Sequence, residues 1–123
     1  MNEKLRVLLD TNMYASFLER RSEAWAVKLV ESNRIILYGF DIIRKELRAT
    51  PLSARIQNRS LRTALLEVYD QFVAGHKLYT DQKVIDLTRQ YLNEYNGGIS
   101  KRKLWNDFLI VACASVHGID IVI

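Results

Sequence analysis

The stretch Leu5-Arg6-Val7-Leu8-Leu9-Asp10-Thr11-Asn12 sets the architecture of this chain. Residues 5–9 read as a short strand. Val7-Leu8-Leu9 lacks the polar alternation of a strand with one wet face. An unbroken apolar run of this kind belongs to a sheet covered on both sides. Asp10 ends the strand, and Thr11 and Asn12 open a helix.

The same strand-then-helix pattern recurs outward. Residues 12–20 and 22–32 read as helices, with Trp25, Leu29 and Val30 on helical spacing in the second. Residues 34–38 form a second buried strand, which Gly39 breaks. Residues 41–49 form a helix that ends ahead of the single proline, Pro51. Residues 52–73 are expected to form one long helix or a helix pair, with Leu61, Leu65, Val68 and Phe72 as the apolar stripe. Residues 77–79 are a short strand, and Asp81 caps a helix reaching Glu94 or Tyr95. Residues 103–117 are a last helix stopped by Gly118, and residues 119–123 a last strand. Strands separated by helices pair in parallel through right-handed crossovers. The expected fold class is α/β, a three-layer α/β/α sandwich with a short, mostly parallel central sheet. In such sheets ligands bind beyond the carboxyl ends of the strands.

The 123 residues suit a single domain spanning 1–123. With 49 % apolar and 26 % charged residues, the chain can bury a core and is not disordered. The apolar run before Asp10 is too short for a secretory signal or a membrane span. The lone cysteine, Cys113, leaves no internal disulfide and reads as a small buried hydrophobe. Low cysteine use fits the reducing cytoplasm. A net charge of +4 favours a polyanionic partner, without deciding between nucleic acid and a merely basic surface.

Three acids carry the functional signal. Asp10 lies where a buried strand meets a helix, a position that a plain N-cap aspartate also favours. Glu46 borders the apolar stripe of its helix beside Ile42, Ile43 and Leu47; a salt bridge at the edge of the core would also explain it. Asp107 opens the uncharged run Phe108 to Val116, so it should enter the protein near the start of a largely buried helix. There it needs a partner, a metal or the helix N-terminus. Together, three carboxylates on separate elements can converge at one sheet edge, and they repel unless a cation offsets them. Oxygen ligands suit Mg²⁺ or Mn²⁺. Cys113, His76 and His117 lack zinc-ligand spacing; His117 reads as a helix-end residue facing the last carbonyls. No Gly-rich phosphate loop is present, which argues against a nucleotide-binding domain.

Cations lie near these acids. Arg55, Arg59 and Arg62 fall at i, i+4 and i+7, which would align them on one helix face. Arg44, Lys45 and Arg48 surround Glu46 in sequence, and Lys101, Arg102 and Lys103 precede Asp107. Each cluster fits a phosphate backbone or an ordinary solvated helix face. The six tyrosines read as core or rim packing.

Three segments resemble the motifs of PIN domains, in register over nearly the whole chain. Val7-Leu8-Leu9-Asp10-Thr11-Asn12 is similar to their opening motif, and Ile42-Ile43-Arg44-Lys45-Glu46-Leu47 to their second acidic element. Asn106 to Ala114, followed by Gly118 to Ile123, is similar to their third. The resemblance implies a Mg²⁺- or Mn²⁺-dependent endoribonuclease of the VapC-like toxin or RNA-processing type. It implies Asp10, Glu46 and Asp107 as catalytic metal ligands, with Thr11 and Asn12 supporting the first. It also implies RNA as substrate, an antitoxin protein as a possible partner and a homodimer. Phe17, Leu18 and Trp25 would supply an interaction surface if they are not core. Family members usually carry a fourth acid just after the last strand. This chain ends at Ile123, and Asp120 lies at that strand's beginning, toward the opposite sheet edge. The expectation is a C-terminally truncated domain, or a site that works with three acids and holds one ion well. A PIN-like module that binds RNA or a protein without cutting is the alternative.

Overall fold

The computed structural model describes residues 4–123. The first half runs β1 (Leu5–Leu8), α1 (Thr11–Glu19), α2 (Glu23–Glu31), β2 (Ile35–Phe40) and α3 (Asp41–Arg48). A hairpin follows, β3 (Arg55–Ile56) and β4 (Arg59–Ser60), and then α4 (Leu61–Val73). The rest is β5 (Lys77–Leu78), α5 (Gln82–Glu94), α6 (Lys101–Val116) and β6 (Ile121–Val122).

The central sheet has the order β5-β2-β1-β6, and every pairing in it is parallel. The chain moves from β1 through β2 to β5, then crosses back to place β6 on the other side of β1. Right-handed crossovers send the connections of the outward and return paths to opposite faces. The contacts agree: α1, α2 and α4 pack on one another, and α5 pairs with α6. The α/β/α expectation holds. The strand order reverses between β1 and β6, where open parallel sheets form their ligand crevice.

Burial explains the strands. Val7, Leu8 and Leu9 are all buried, as their unbroken apolar run requires. The core then fills with Phe40, Ile43, Leu47 and the aromatic group Tyr14, Tyr69 and Phe72. Tyr14 lies 5.4 Å from Tyr69 and 6.3 Å from Phe72 between tilted ring centroids, in the range of favourable aromatic contacts. Cys113 is buried, and burial pushes its thiol up to about 12, so it is an inert packing residue. Asp81 caps α5 by accepting the Val84 amide at 2.9 Å. Gly118, at φ +65°, ends the last helix in the left-handed conformation that suits glycine.

Several expectations are corrected. Residues 52–60 are not helical: they turn through a hairpin pairing Arg55 with Ser60 and Ile56 with Arg59. Gln57 and Asn58 both have positive φ, the geometry of a two-residue hairpin turn. Ser60 then caps α4 by accepting the Thr63 amide at 3.4 Å. The last helix starts at Lys101 rather than 103, and Val111 is exposed, so it is buried along one side only. His117 directs its imidazole to Asp81, at 3.6 Å, rather than to the last carbonyls.

Gly39 does not break β2 but lies inside it. A side chain there would meet the Tyr69 ring and Val73 Cγ1. The Tyr69 hydroxyl donates to the Phe40 carbonyl at 3.3 Å across this contact. Gly39→Ala should therefore cost about 1–3 kcal/mol by overpacking. Urea unfolding measures this, and an unchanged midpoint would show that Tyr69 moves aside freely.

Candidate metal and nucleic-acid site

Asp10 follows the carboxyl end of β1 by two residues and is the N-cap of α1. Its Oδ1 accepts the Thr11 amide at 2.7 Å. Its backbone is tied to the neighbouring strand: the Asp10 amide donates to the Ile123 carbonyl, and the Ile123 amide donates to the Leu8 carbonyl at 3.0 Å. The N-cap role and the crevice position therefore coexist, because the strand ends where the helix starts.

Glu46 reaches the same region from α3. Ile43 and Leu47 pin that helix to the core, which leaves Glu46 half-buried. Its carboxyl is held above the usual range, first by burial and then by the negative charges of Asp10 and Asp107. The Thr11 hydroxyl offsets this only slightly. It forms no hydrogen bond of full geometry, since Thr11 Oγ1 and Glu46 Oε1 are both buried without a partner. Asp107 comes from the second turn of α6 and is exposed, not drawn into the protein at the helix start. Asn12 is exposed beside Thr11.

Asp10 and Asp107 are thus both close enough to act on the Glu46 carboxyl. Among the described residues, however, no three His, Cys, Asp or Glu groups stand close enough together to grip one ion. The donor set still fits a hard divalent cation in kind: carboxylate oxygens, one of them buried and unpartnered, facing like charge. Asp120 lies away from this group, at the amino end of β6. Its Oδ2 accepts the Arg6 amide at 2.8 Å.

The basic residues divide. Arg44 is engaged by Asp70 through two hydrogen bonds of 3.1 Å. Lys45 and Arg48 are exposed on α3 and line a cleft of about 490 Å³. Arg55 closes its own hairpin by donating to the Asn58 carbonyl at 2.8 Å, and Arg59 pairs with Glu67. With Arg55 and Arg59 in strands and Arg62 in α4, the expected single arginine face does not form. Lys101, Arg102 and Lys103 are exposed in the first turn of α6, where the helix dipole disfavours cations. Lys77 and Tyr79 also line the cleft. No spacing in the sequence announces them, because they reach it from β5 and the loop after it. Of the early apolar residues, Leu18 is buried and Phe17 packs on Phe72, while Trp25 is 61 % exposed.

The PIN domain family model matches residues 7–123. The chain belongs to the PIN domain family. PIN domains are generally nucleases and typically use divalent metals. A solved structure, FitAB bound to an IR36 DNA fragment, shares the fold of this PIN domain with a TM-score of 0.56. The two are 23 % identical, and the match covers 94 % of this chain and 82 % of that one. No curated protein matches it in sequence. Among the described residues no helix is long and apolar enough to cross a membrane.

The raised Glu46 carboxyl has a stability consequence. A folded-state pKa above the ordinary 4.5 means that the folded protein binds more protons than the unfolded chain between those two values. Stability therefore falls as pH rises through that window, and the full cost is present above it. In EDTA, Glu46→Gln should raise the thermal midpoint at pH 7, and the gain should disappear below pH 4.5. Melting curves at both pH values check this. An equal gain at both would mean that relief of charge is not the cause.

Proposed function

We propose that this PIN domain is a divalent-metal-dependent endoribonuclease that hydrolyses RNA phosphodiester bonds. The observation that carries the reading is the Glu46 carboxylate, which is half-buried with one oxygen unpartnered and lies under the negative charge of Asp10 and Asp107. Such an arrangement costs stability on its own, which is intelligible if the acids serve a ligand.

Asp10, Glu46 and Asp107 would hold Mg²⁺ or Mn²⁺, which supplies an activated water and stabilises charge on the phosphate. The chain's own contributions are separate. The Thr11 amide orients Asp10, and the unpartnered Thr11 hydroxyl is free to bond an inner carboxylate or a water. Asn12, exposed next to it, can donate to a phosphate oxygen. Lys45, Arg48 and the Lys101–Lys103 cations would bind the phosphate backbone around the acids. The resemblance to VapC-like toxins supports a toxin held by an antitoxin protein, a homodimer and a cytoplasmic site of action. FitAB was solved with DNA, so a DNA strand belongs beside RNA in the assay.

A second reading is a PIN domain that binds RNA or a protein without cutting. It is favoured by the absence, among the described residues, of a three-ligand group already closed around one point.

The test is cleavage of a labelled single-stranded RNA, with a DNA strand of the same sequence run in parallel, in Mn²⁺ beside EDTA and Asp10→Asn. We expect both controls to reduce cleavage by at least about 100-fold, more than loss of a merely supporting residue costs. Cleavage that survives both would refute the assignment; absence of cleavage by the intact protein would favour the second reading. Mn²⁺ should also raise the melting temperature of the intact protein more than that of Glu46→Gln. Equal shifts would remove Glu46 from the ligand set.

A further inference from the structure

We infer that the cleft between α3 and the end of β5 is a nucleotide subsite, which seats a phosphate of single-stranded nucleic acid on Lys45, Arg48 and Lys77 and stacks a base on Tyr79. This deepens the nuclease reading and rests on it for the identity of the strand.

The cleft has a volume of about 490 Å³. Among the described residues no carboxylate forms an ion pair with Lys45, Arg48 or Lys77; the fourth cation there, Arg44, is already engaged by Asp70. The negative end of α3 favours Lys45 and Arg48 locally. It does not account for Lys77, which arrives from β5 to line the same space. Three unneutralised cations from two elements around one concavity suit a phosphodiester.

Tyr79 adds the second half of a nucleotide. It is 61 % exposed, whereas Tyr14 and Tyr69 are buried in the core. Its position is set by its neighbour. The Thr80 amide and hydroxyl donate to Asp41 at 3.0 and 2.7 Å, tying the loop after β5 to the first turn of α3. An exposed ring held beside cations is a stacking platform for an unpaired base.

The cleft also joins the acidic site. Asp41, Arg44, Lys45 and Arg48 form one face of α3 and line the cleft. Ile42, Lys45, Glu46 and Ala49 form the adjacent face and, with Asn106, line a smaller pocket of about 230 Å³. Lys45 belongs to both. A strand with one phosphate at the acids can therefore pass Lys45 and place its next nucleotide in the cleft.

The experiment measures binding of fluorescein-labelled octauridylate in EDTA, by anisotropy over a series of salt concentrations. Lys77→Ala and Arg48→Ala should each weaken binding and reduce the slope of log K against log salt by about 0.7. Tyr79→Ala should weaken binding about 5- to 100-fold with the slope unchanged, and Tyr79→Phe should restore it. The proposal is overturned if the intact protein does not bind, if these variants bind as the parent does, or if an octaglutamate peptide binds more tightly than the oligonucleotide. Cleavage in Mn²⁺ is scored separately. Variant-sensitive binding without cleavage upholds the subsite and ends the nuclease reading. Cleavage with insensitive variants does the reverse.

Discussion

The pairing of β1 between β2 and β6 anchors the fold and its crevice. Val7 and Leu8 stand in register with partners on both sides, Leu37 and Tyr38 in β2 and Ile121 and Val122 in β6. A strand enclosed laterally by strands and on its faces by helices has no register freedom, because a slip of one residue would exchange every side chain between faces. The end of β1 is therefore fixed in space, and Asp10 with it. The bond from the Asp10 amide to the Ile123 carbonyl extends the pairing past the last residues of the strands. The pairing of the central strand thus positions the first acid.

The second acid is placed by a different constraint. α3 starts directly at the end of β2, with Phe40 as its N-cap. Ile43 and Leu47 are almost completely enclosed, so the rotation of this short helix is set by their burial. That rotation turns Glu46 toward Asp10 and Asp107 and holds it partly out of water. The core stabilises the helix by more than the carboxylate repulsion costs. Residual strain of this kind, at a place where local rules are broken, is how functional sites commonly differ from the rest of a fold.

The same helix sorts charge. One face carries the acid and the adjacent face carries the cations, with Lys45 at the border. Exposed cations at the start of α6, against the helix dipole, repeat the theme on the other side. An acidic centre flanked by cations suits a ligand that is itself anionic and needs a divalent ion to approach carboxylates.

The α/β class, the parallel sheet and the elements that carry the three acids are legible in the amino-acid order. Those properties follow from apolar runs, helical spacing and chain order, and these signals are local. Asp10, Glu46 and Asp107 were legible because each interrupts or borders an apolar segment. The hairpin at residues 55–60 was not, since its turn is made by Gln57 and Asn58 without the glycine that usually marks it. A three- and four-residue spacing of arginines imitated a helix face across it. The exposure of Asp107, the engagement of Arg44 by Asp70 and the meeting of Lys77 and Tyr79 with α3 arise in the folded arrangement alone. Each of these depends on which distant segments the sheet order brings together, and side-chain neighbours far apart in the chain leave no periodic trace in it.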